Sequence, residues 1–287
     1  MTHISISAVE TIIAEVAAAE IMPHFRKLAQ GDIEMKGVND PVTVADKAAE
    51  TMLITRLSSL LPGSIFVGEE GCARDPSILS NFSGNQDVWV IDPIDGTSNF
   101  IAGRPEFGVM VALVRRKQTL AAWIHDPHTG HTLTAEQGSG VWLNGRKMRL
   151  AGRDPALPKL ALIGSKLRAV LDKPEAAFVA AALPALGIGT ASAFDYARLF
   201  TGDIVFANSV APRASFLIYR RIKPWDHIPG LFLLAEAGGY AADFLGKPYA
   251  MQDDKCGLIV ASDPKEWESL HTAFKPALGV FAEMDSV

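Results

Sequence analysis

The spacing of apolar residues changes several times along the chain, and each change marks an element. Over residues 7–28, Val9, Ile12, Ile13, Val16 and positions 19–21 recur at helical spacing, with Glu10, Glu15 and Glu20 mostly opposite. This predicts an amphipathic helix, bent or interrupted at Pro23. Residues 36–41 read as a polar, glycine-containing loop. Thr43-Val44-Ala45-Asp46 has the form of a capping box, and a helix follows with Met52, Leu53, Leu57 and Leu60 on one side, stopped by Pro62-Gly63. Residues 64–67 form a short buried strand that runs straight into Gly68-Glu69-Glu70. After a turn-rich polar surface loop over 73–87, Val88-Trp89-Val90-Ile91 is apolar on both faces. That run reads as a buried strand, stopping at Asp92-Pro93.

Residues 107–114, 120–125, 132–136 and 141–143 alternate or run apolar between polar turns, and Asn144-Gly145 is a two-residue hairpin signal before 146–150. Together they predict an antiparallel meander. One glycine and two prolines fall within 152–158, so the seam is placed there. It separates an N-terminal lobe, 1–151, from a C-terminal lobe, 152–287, within a single catalytic unit. Beyond the seam, strands at 160–164, 187–191, 203–206 and 257–261 alternate with helices at 174–183, 192–200 and 228–237. No internal repeat or low-complexity segment interrupts the pattern.

Composition narrows the class without naming a function. Hydrophobic residues make up 48% and charged residues 21%, as in ordinary globular proteins. A net charge of −5 argues against a partner that is a nucleic-acid polymer. The two cysteines, Cys72 and Cys256, form no paired motif, which suits a reducing cytoplasm without a structural disulfide. No basic-then-apolar leader and no bilayer-length apolar run is found, so neither a signal peptide nor a membrane partner is expected.

Chemistry concentrates where buried elements begin or end. Glu69-Glu70 follows one strand, Asp92 and Asp95 follow another, and Asp226 precedes the apolar helix at 228–237. Each has a plain alternative. Asp92-Pro93 with Asp95-Gly96 could be an ordinary Asx-type turn, and Asp46 and Asp226 could simply cap helices. If the acids converge, their repulsion at neutral pH must be relieved by raised pKa values or by cations. A pair would suit a glycosidase or an aspartic dyad, whereas five or six suit a multi-metal site. Hard oxygen ligands without a neighbouring His or Cys favour Mg²⁺ or Mn²⁺ over zinc. Gly96-Thr97 could present backbone N–H groups to phosphate, and a threonine hydroxyl near Glu69 could orient a water. His125, His128 and His131 bracket a turn, but a zinc site there lacks a further fixed ligand.

These residues carry a resemblance. Gly68-Glu69-Glu70, then W-x-I-D-P-I-D-G-T-x-N-F over 89–100, then Trp225-Asp226 with Glu236-Ala237-Gly238-Gly239, resemble the inositol monophosphatase family. Residues 43–46, Ala135-Glu136 with Gly140, Asn144-Gly145 and Gly189-Thr190-Ala191 extend the match over most of the chain. The resemblance implies an α/β fold, a layered α/β/α/β/α sandwich of the sugar-phosphatase type with its active site between two lobes. It also implies a lithium-sensitive phosphomonoesterase, usually a homodimer, that hydrolyses a small phosphorylated alcohol with metal-activated water. By the same motifs, Glu69, Asp92 and the Ile94 carbonyl would hold one Mg²⁺, Asp92, Asp95 and Asp226 a second, with Glu69 also touching a weaker third. Glu69 and Thr97 would activate water, supported by Asp46. Gly96 and Thr97 would bind phosphate, while Asp95, Asp226, Gly189, Thr190 and Ala191 would face the alcohol. The role of Lys36 stays open.

One region departs from the family. Members acting on inositol carry an acid a few positions before the Trp-Asp motif, yet residues 207–223 contain no Asp or Glu and include Arg213, Arg220, Arg221 and Lys223. Tyr219 stands near the position of that acid. One expectation is a substrate other than inositol phosphate, with a second anionic group facing the arginines; a solvated basic loop is the plain alternative. Histidinol phosphate, sugar bisphosphates and 3′-phosphonucleotides remain as substrates. A catalytically silent metal- and phosphate-binding regulator is the reading from another class.

Overall fold

The computed structural model describes residues 4–38, 40–154, 156, 158–172, 183–200, 212–251 and 257–275. Cys256, the strand expected at 203–206 and nearly all of the helix expected at 174–183 lie outside them.

Helix α1 (Ile6–Val16) continues as a π-helical turn, Ala17–Ile21, so the regular helix ends well before Leu28. Pro23, without an N–H to donate back into the helix, lies just beyond. Residues 33–43 form a hairpin of β1 (Ile33–Gly37) and β2 (Asp40–Thr43) rather than the expected loop. Its strands are short; β1 buries no residue and β2 buries only the consecutive Val42 and Thr43, so no buried alternation announces them in the sequence. The capping box at Thr43 forms with both reciprocal bonds, and α2 (Val44–Leu60) follows. Then come β3 (Ile65–Gly68), α3 (Glu69–Arg74), β4 (Asp87–Asp95) and α4 (Thr97–Ile101).

The predicted meander forms as β5 (Gly108–Arg115), β6 (Gln118–Asp126), β7 (His131–Glu136), β8 (Gly140–Leu143) and β9 (Arg146–Lys147). It completes a seven-stranded sheet in the order β3-β4-β5-β6-β7-β8-β9, antiparallel except for β3 against β4. The later elements are β10 (Leu160–Ile163), α5 (Ser165–Leu171), β11 (Ala185–Ile188), α6 (Ser192–Ala197), β12 (Phe216–Tyr219), α7 (Pro224–Glu236), β13 (Tyr240–Ala242), β14 (Leu258–Ala261) and α8 (Pro264–Phe274). Among them a mixed five-stranded sheet runs β11-β10-β12-β14-β13. Strands β12 and β13 and helices α5 and α8 are additions to the sequence reading. Strand β11 ends at Ile188, so Gly189-Thr190-Ala191 is a loop rather than the end of a strand.

Three apolar clusters show the layering. Alternate residues of β4, β5 and β6, such as Trp89, Val111 and Trp123, pack against α1 and α2. Their opposite-facing neighbours, such as Val90 and Met110, pack with α6 and α7 against Leu162, Leu217 and Val260 of the second sheet. The far face of that sheet, including Ile163, Ile218 and Ile259, is covered by Leu167 of α5 and by Trp267, Leu270 and Phe274 of α8. The order is α/β/α/β/α, as the resemblance implied.

The β3–β4 register positions the chemistry. Gly68 pairs with Ile91, so the next residues, Glu69 and Asp92, emerge side by side where β3 gives way to α3. Strand β4 does not stop at Asp92; it runs on to Asp95 along β5, with a register irregularity between Asp92 and Asp95. Pro93, which cannot donate to a ladder, falls in that irregularity, beyond the last β3 pair.

Candidate active site

A cleft of about 390 Å³ opens at these strand ends and is lined by Glu69, Asp92, Ile94, Asp95, Gly96, Thr97, Gly189, Thr190, Ala191 and Asp226, among others. Apart from Asp46, every site residue expected from the sequence lines it. A larger cleft of about 960 Å³, between the β7–β8 turn and the end of α7, lacks such a convergence of acids. Oxygens of Asp92, Asp95 and Asp226 all lie within 4.8 Å of one another. Asp92 also shares hydrogen bonds with both Glu69 and Asp226. Asp226 sits in the first turn of α7, so an acid that could have been only a helix-end residue points into the cluster.

Burial, and then mutual repulsion, governs the charges. Burial pushes Asp92 well above the carboxylate range, and Glu69, Asp95 and Asp226 push it further. Burial does the same to Asp226. Burial also raises Asp95 to about 7, although amide N–H groups at Ala193 and Ser192 hold it down. Ala193 N–H donates to Asp95 Oδ2 at 2.6 Å, tying β4 to the start of α6. Such a set can hold its full negative charge only beside cations, and its all-oxygen donors suit Mg²⁺ or Mn²⁺.

Thr97 is fixed from behind. Its hydroxyl lies 3.0 Å from Asp46 Oδ1 and 3.0 Å from the Ile94 carbonyl, so its one proton is committed to those acceptors. The hydroxyl lone pairs remain for a donor in the cleft. Asp46 Oδ2 meanwhile accepts from the Thr43 N–H and hydroxyl, so one carboxylate performs both the cap and the site role. Burial raises Asp46 to about 6 despite those bonds. Between Asp95 and Thr97, Gly96 has φ 92°, and a Cβ there would lie 2.9 Å from the Glu106 carbonyl and 3.0 Å from Ala191 Cβ. Glycine therefore permits both the left-handed turn and the close approach to the opposite wall.

That wall, residues 189–191, is held on several sides. Gly189 N–H donates to the Ile163 carbonyl at 2.8 Å, Asn99 Nδ2 donates to the Thr190 carbonyl at 3.2 Å, and Thr190 N–H donates to Asp195 Oδ1 at 3.0 Å. Asp195 also accepts from the Tyr219 hydroxyl at 3.3 Å, and both residues line the cleft. Burial raises Asp195 to about 6. Sequence marks Tyr219 only by its place near the family's acid, and the signal for Asp195 is that it is the lone acid within 192–200.

Lys36 gains a place. Its Nζ lies 2.7 Å from Glu69 Oε1 and 2.8 Å from Glu70 Oε1. Burial alone would depress its pKa, but Glu69 and Glu70 raise it overall, so it remains an ammonium. The basic residues lie outside the cleft lining: no Arg or Lys is among the described residues that line it, whereas Tyr219 is, and Lys223 acts on Asp226 through its charge. Strand β12 ends at Tyr219, and Pro224 already begins α7, so the basic residues near the cleft sit in the turn between them. The three histidines form no metal group among the described residues. His125 Nδ1 is hydrogen-bonded to the Thr132 hydroxyl, and burial lowers His125 to about 4.

A sequence profile of the inositol monophosphatase family matches residues 4–277. A protein named Nus factor SuhB, from Xylella fastidiosa, is 32% identical over 87% of this chain and 87% of its own length. An inositol-1-monophosphatase from Mesorhizobium japonicum is 29% identical, covering 91% of this chain and 93% of its own. A solved Thermotoga maritima IMPase superposes with a TM-score of 0.70 at 26% identity, over 92% of this chain and 94% of its own. Profile match, relatives and architecture agree: this chain belongs to the inositol monophosphatase family.

Proposed function

We propose that this chain is a Mg²⁺-dependent phosphomonoesterase acting on a small phosphorylated alcohol. The observation that carries the reading is the convergence of Asp92, Asp95 and Asp226 oxygens within 4.8 Å in a cleft that Thr97 also lines. Glu69, Asp92, the Ile94 carbonyl, Asp95 and Asp226 would hold two to three Mg²⁺ ions, with Mn²⁺ as a substitute. When bound, these supply a lowered pKa for the attacking water and neutralisation of phosphoryl charge. Glu69 takes the water's proton, and Thr97 orients that water through a lone pair because Asp46 and the Ile94 carbonyl hold its own proton. The Gly96 and Thr97 backbone holds the phosphate, and Asp226 stands on the alcohol side with residues 189–191. Lithium sensitivity, a homodimer and a cytoplasmic location complete this reading.

The lining also bears on the substrate. Six carboxylates, Asp40, Glu69, Asp92, Asp95, Asp195 and Asp226, face the cleft, with no described Lys or Arg among the lining residues. Even after cations neutralise the metal set, Asp195 still faces the alcohol side, with Arg198 as the nearby cation that offsets part of its charge, and this disfavours a second anion there. The leaving alcohol is therefore a neutral polyol or an amino alcohol rather than a bisphosphate. A phosphate-release panel of polyol, sugar, amino-alcohol, nucleotide and bisphosphate esters tests this. Neutral or cationic monoesters are expected to exceed bisphosphates by about tenfold or more in kcat/KM, about 1.4 kcal/mol of transition-state discrimination. Arg220→Ala and Arg221→Ala, in the turn after Tyr219 and outside the cleft lining, should leave kcat/KM within about twofold. A bisphosphate as the best substrate, weakened by either arginine variant, would overturn the assignment.

Relatives named Nus factor SuhB give a second reading, a binding role in which this fold need not turn over. The relative from Thermotoga maritima named fructose-1,6-bisphosphatase/inositol-1-monophosphatase, 30% identical over 79% of this chain, favours catalysis. No Mg²⁺-dependent release across the whole panel would favour the binding role.

A further inference from the structure

Helix α2 carries a second buried carboxylate one turn after Asp46. Asp46 and Glu50 are 0% and 2% exposed, and their i,i+4 spacing puts both on the same face. Asp46 reaches forward to Thr97. Glu50 reaches α3: its Oε2 accepts from Glu70 N–H and its Oε1 from Gly71 N–H, each at 2.8 Å. These are first-turn amides of α3, which have no acceptor within their own helix. Gly68, the N-cap of α3, makes no side-chain cap, so Glu50 supplies that function from another helix. Gly68 is also obligatory for the contact, since a Cβ there would stand 2.4 Å from Glu50 Oε2.

Glu69 is the first residue of α3, adjacent to both features. We propose that Glu50 is a positioning residue for Glu69, holding the start of α3 so that the Glu69 carboxylate meets Asp92 and the attacking water. One rigid helix then sets both halves of the water-handling pair, Asp46 behind Thr97 and Glu50 behind Glu69. The inference rests on the proposed roles of Glu69 and Thr97 in hydrolysis. A carboxylate is required because two N–H donors meet two acceptor oxygens; a glutamine has only one, and its NH₂ group would oppose the other N–H. Arg74 is the nearby cation, with its guanidinium 3.8 Å from Glu50 Oε1 and its side chain largely exposed.

The test compares Glu50→Gln and Glu50→Asp with Leu57→Ala, a buried apolar truncation later in the same helix. It measures phosphate release, Mg²⁺ affinity by calorimetry, and amide exchange at Glu70 and Gly71 in Mg²⁺-free protein. Glu50→Gln is expected to lose exchange protection at those amides and to lower kcat about 10–100-fold with KM nearly unchanged, the scale of a misplaced reacting group. Mg²⁺ affinity should weaken about tenfold, as when a group supporting a metal ligand is removed. Glu50→Asp, which keeps two oxygens, should recover part of each. Leu57→Ala should lower Tm without changing kcat per folded molecule. Unchanged kcat and Mg²⁺ affinity in Glu50→Gln overturn the inference, whatever its Tm. If the wild type itself releases no phosphate, the catalytic reading fails separately, and unchanged exchange and Mg²⁺ affinity in Glu50→Gln would still overturn the positioning role.

Discussion

Asp92→Asn is expected to abolish Mg²⁺-dependent phosphate release while raising the melting temperature of the metal-free protein. Asp92 is 1% exposed and lies between Glu69 and Asp226, with Asp95 beside it. Its charge, like that of Asp226, is strongly disfavoured without a cation, and it is the one most shared by the expected metal positions. Asparagine keeps the shape and removes the charge, so turnover should fall by roughly 10³-fold or more, since one well-placed electrostatic group alone is worth 10²–10³. The same change removes the cost of keeping this buried carboxyl uncharged among its acidic neighbours in the metal-free state. Melting in chelator should therefore rise by about 2–4 °C for each kcal/mol relieved. Added Mg²⁺, which should raise the wild-type Tm, should barely move the variant. A variant that keeps wild-type turnover, or melts lower in chelator, would remove Asp92 from the centre of the site.

Metal-free protein should lose stability as pH rises from about 5 to 8, the reverse of ordinary carboxylate behaviour. Asp95 is raised to about 7 and Asp46 to about 6, and Glu69, Asp92 and Asp226 are raised as well. Unfolded carboxylates titrate near about 4, so between these values the folded chain binds more protons than the unfolded chain. Stability is then greatest below the unfolded pKa values and declines as pH climbs through the folded ones. Mg²⁺ should flatten the slope, because cations replace protons and binding adds about 2.7 kcal/mol at a hundredfold excess over Kd. Glu50 and Asp195, raised by burial to about 7 and about 6, lie outside the expected metal set and should leave a residual slope. Calorimetric melting at pH 5, 6, 7 and 8, in chelator and in Mg²⁺, measures this. A metal-free Tm that rises steadily to pH 8 would contradict it.

Legibility followed the range of the interactions. Glu69 and Asp92 could be read because each follows a short apolar run, with Asp95 three residues further on, and the Gly68–Ile91 pairing then brings Glu69 and Asp92 together. Asp46 shows where local reasoning is incomplete: its capping box is real, yet the second oxygen serves Thr97, 51 positions away. Glu50 lies within an otherwise sound helix, where an acid ordinarily signals a solvated face; its partners on α3 are 20 and 21 positions distant. Tyr219 and Asp195 meet only after β12 takes its place in the second sheet, and no short pattern encodes that pairing. The arginines show the same limit. Arg220 and Arg221 are near Asp226 in sequence, but they sit in the turn between β12 and α7, outside the cleft lining.

The most direct test of the central claim is the initial rate of phosphate release from a neutral polyol monophosphate as free Mg²⁺ is titrated into chelator-stripped protein. A site built from Glu69, Asp92, Asp95 and Asp226 predicts no release at zero Mg²⁺ and a steep, saturable rise that Asp92→Asn eliminates. A rate independent of Mg²⁺, or a rise that survives in Asp92→Asn, would contradict it.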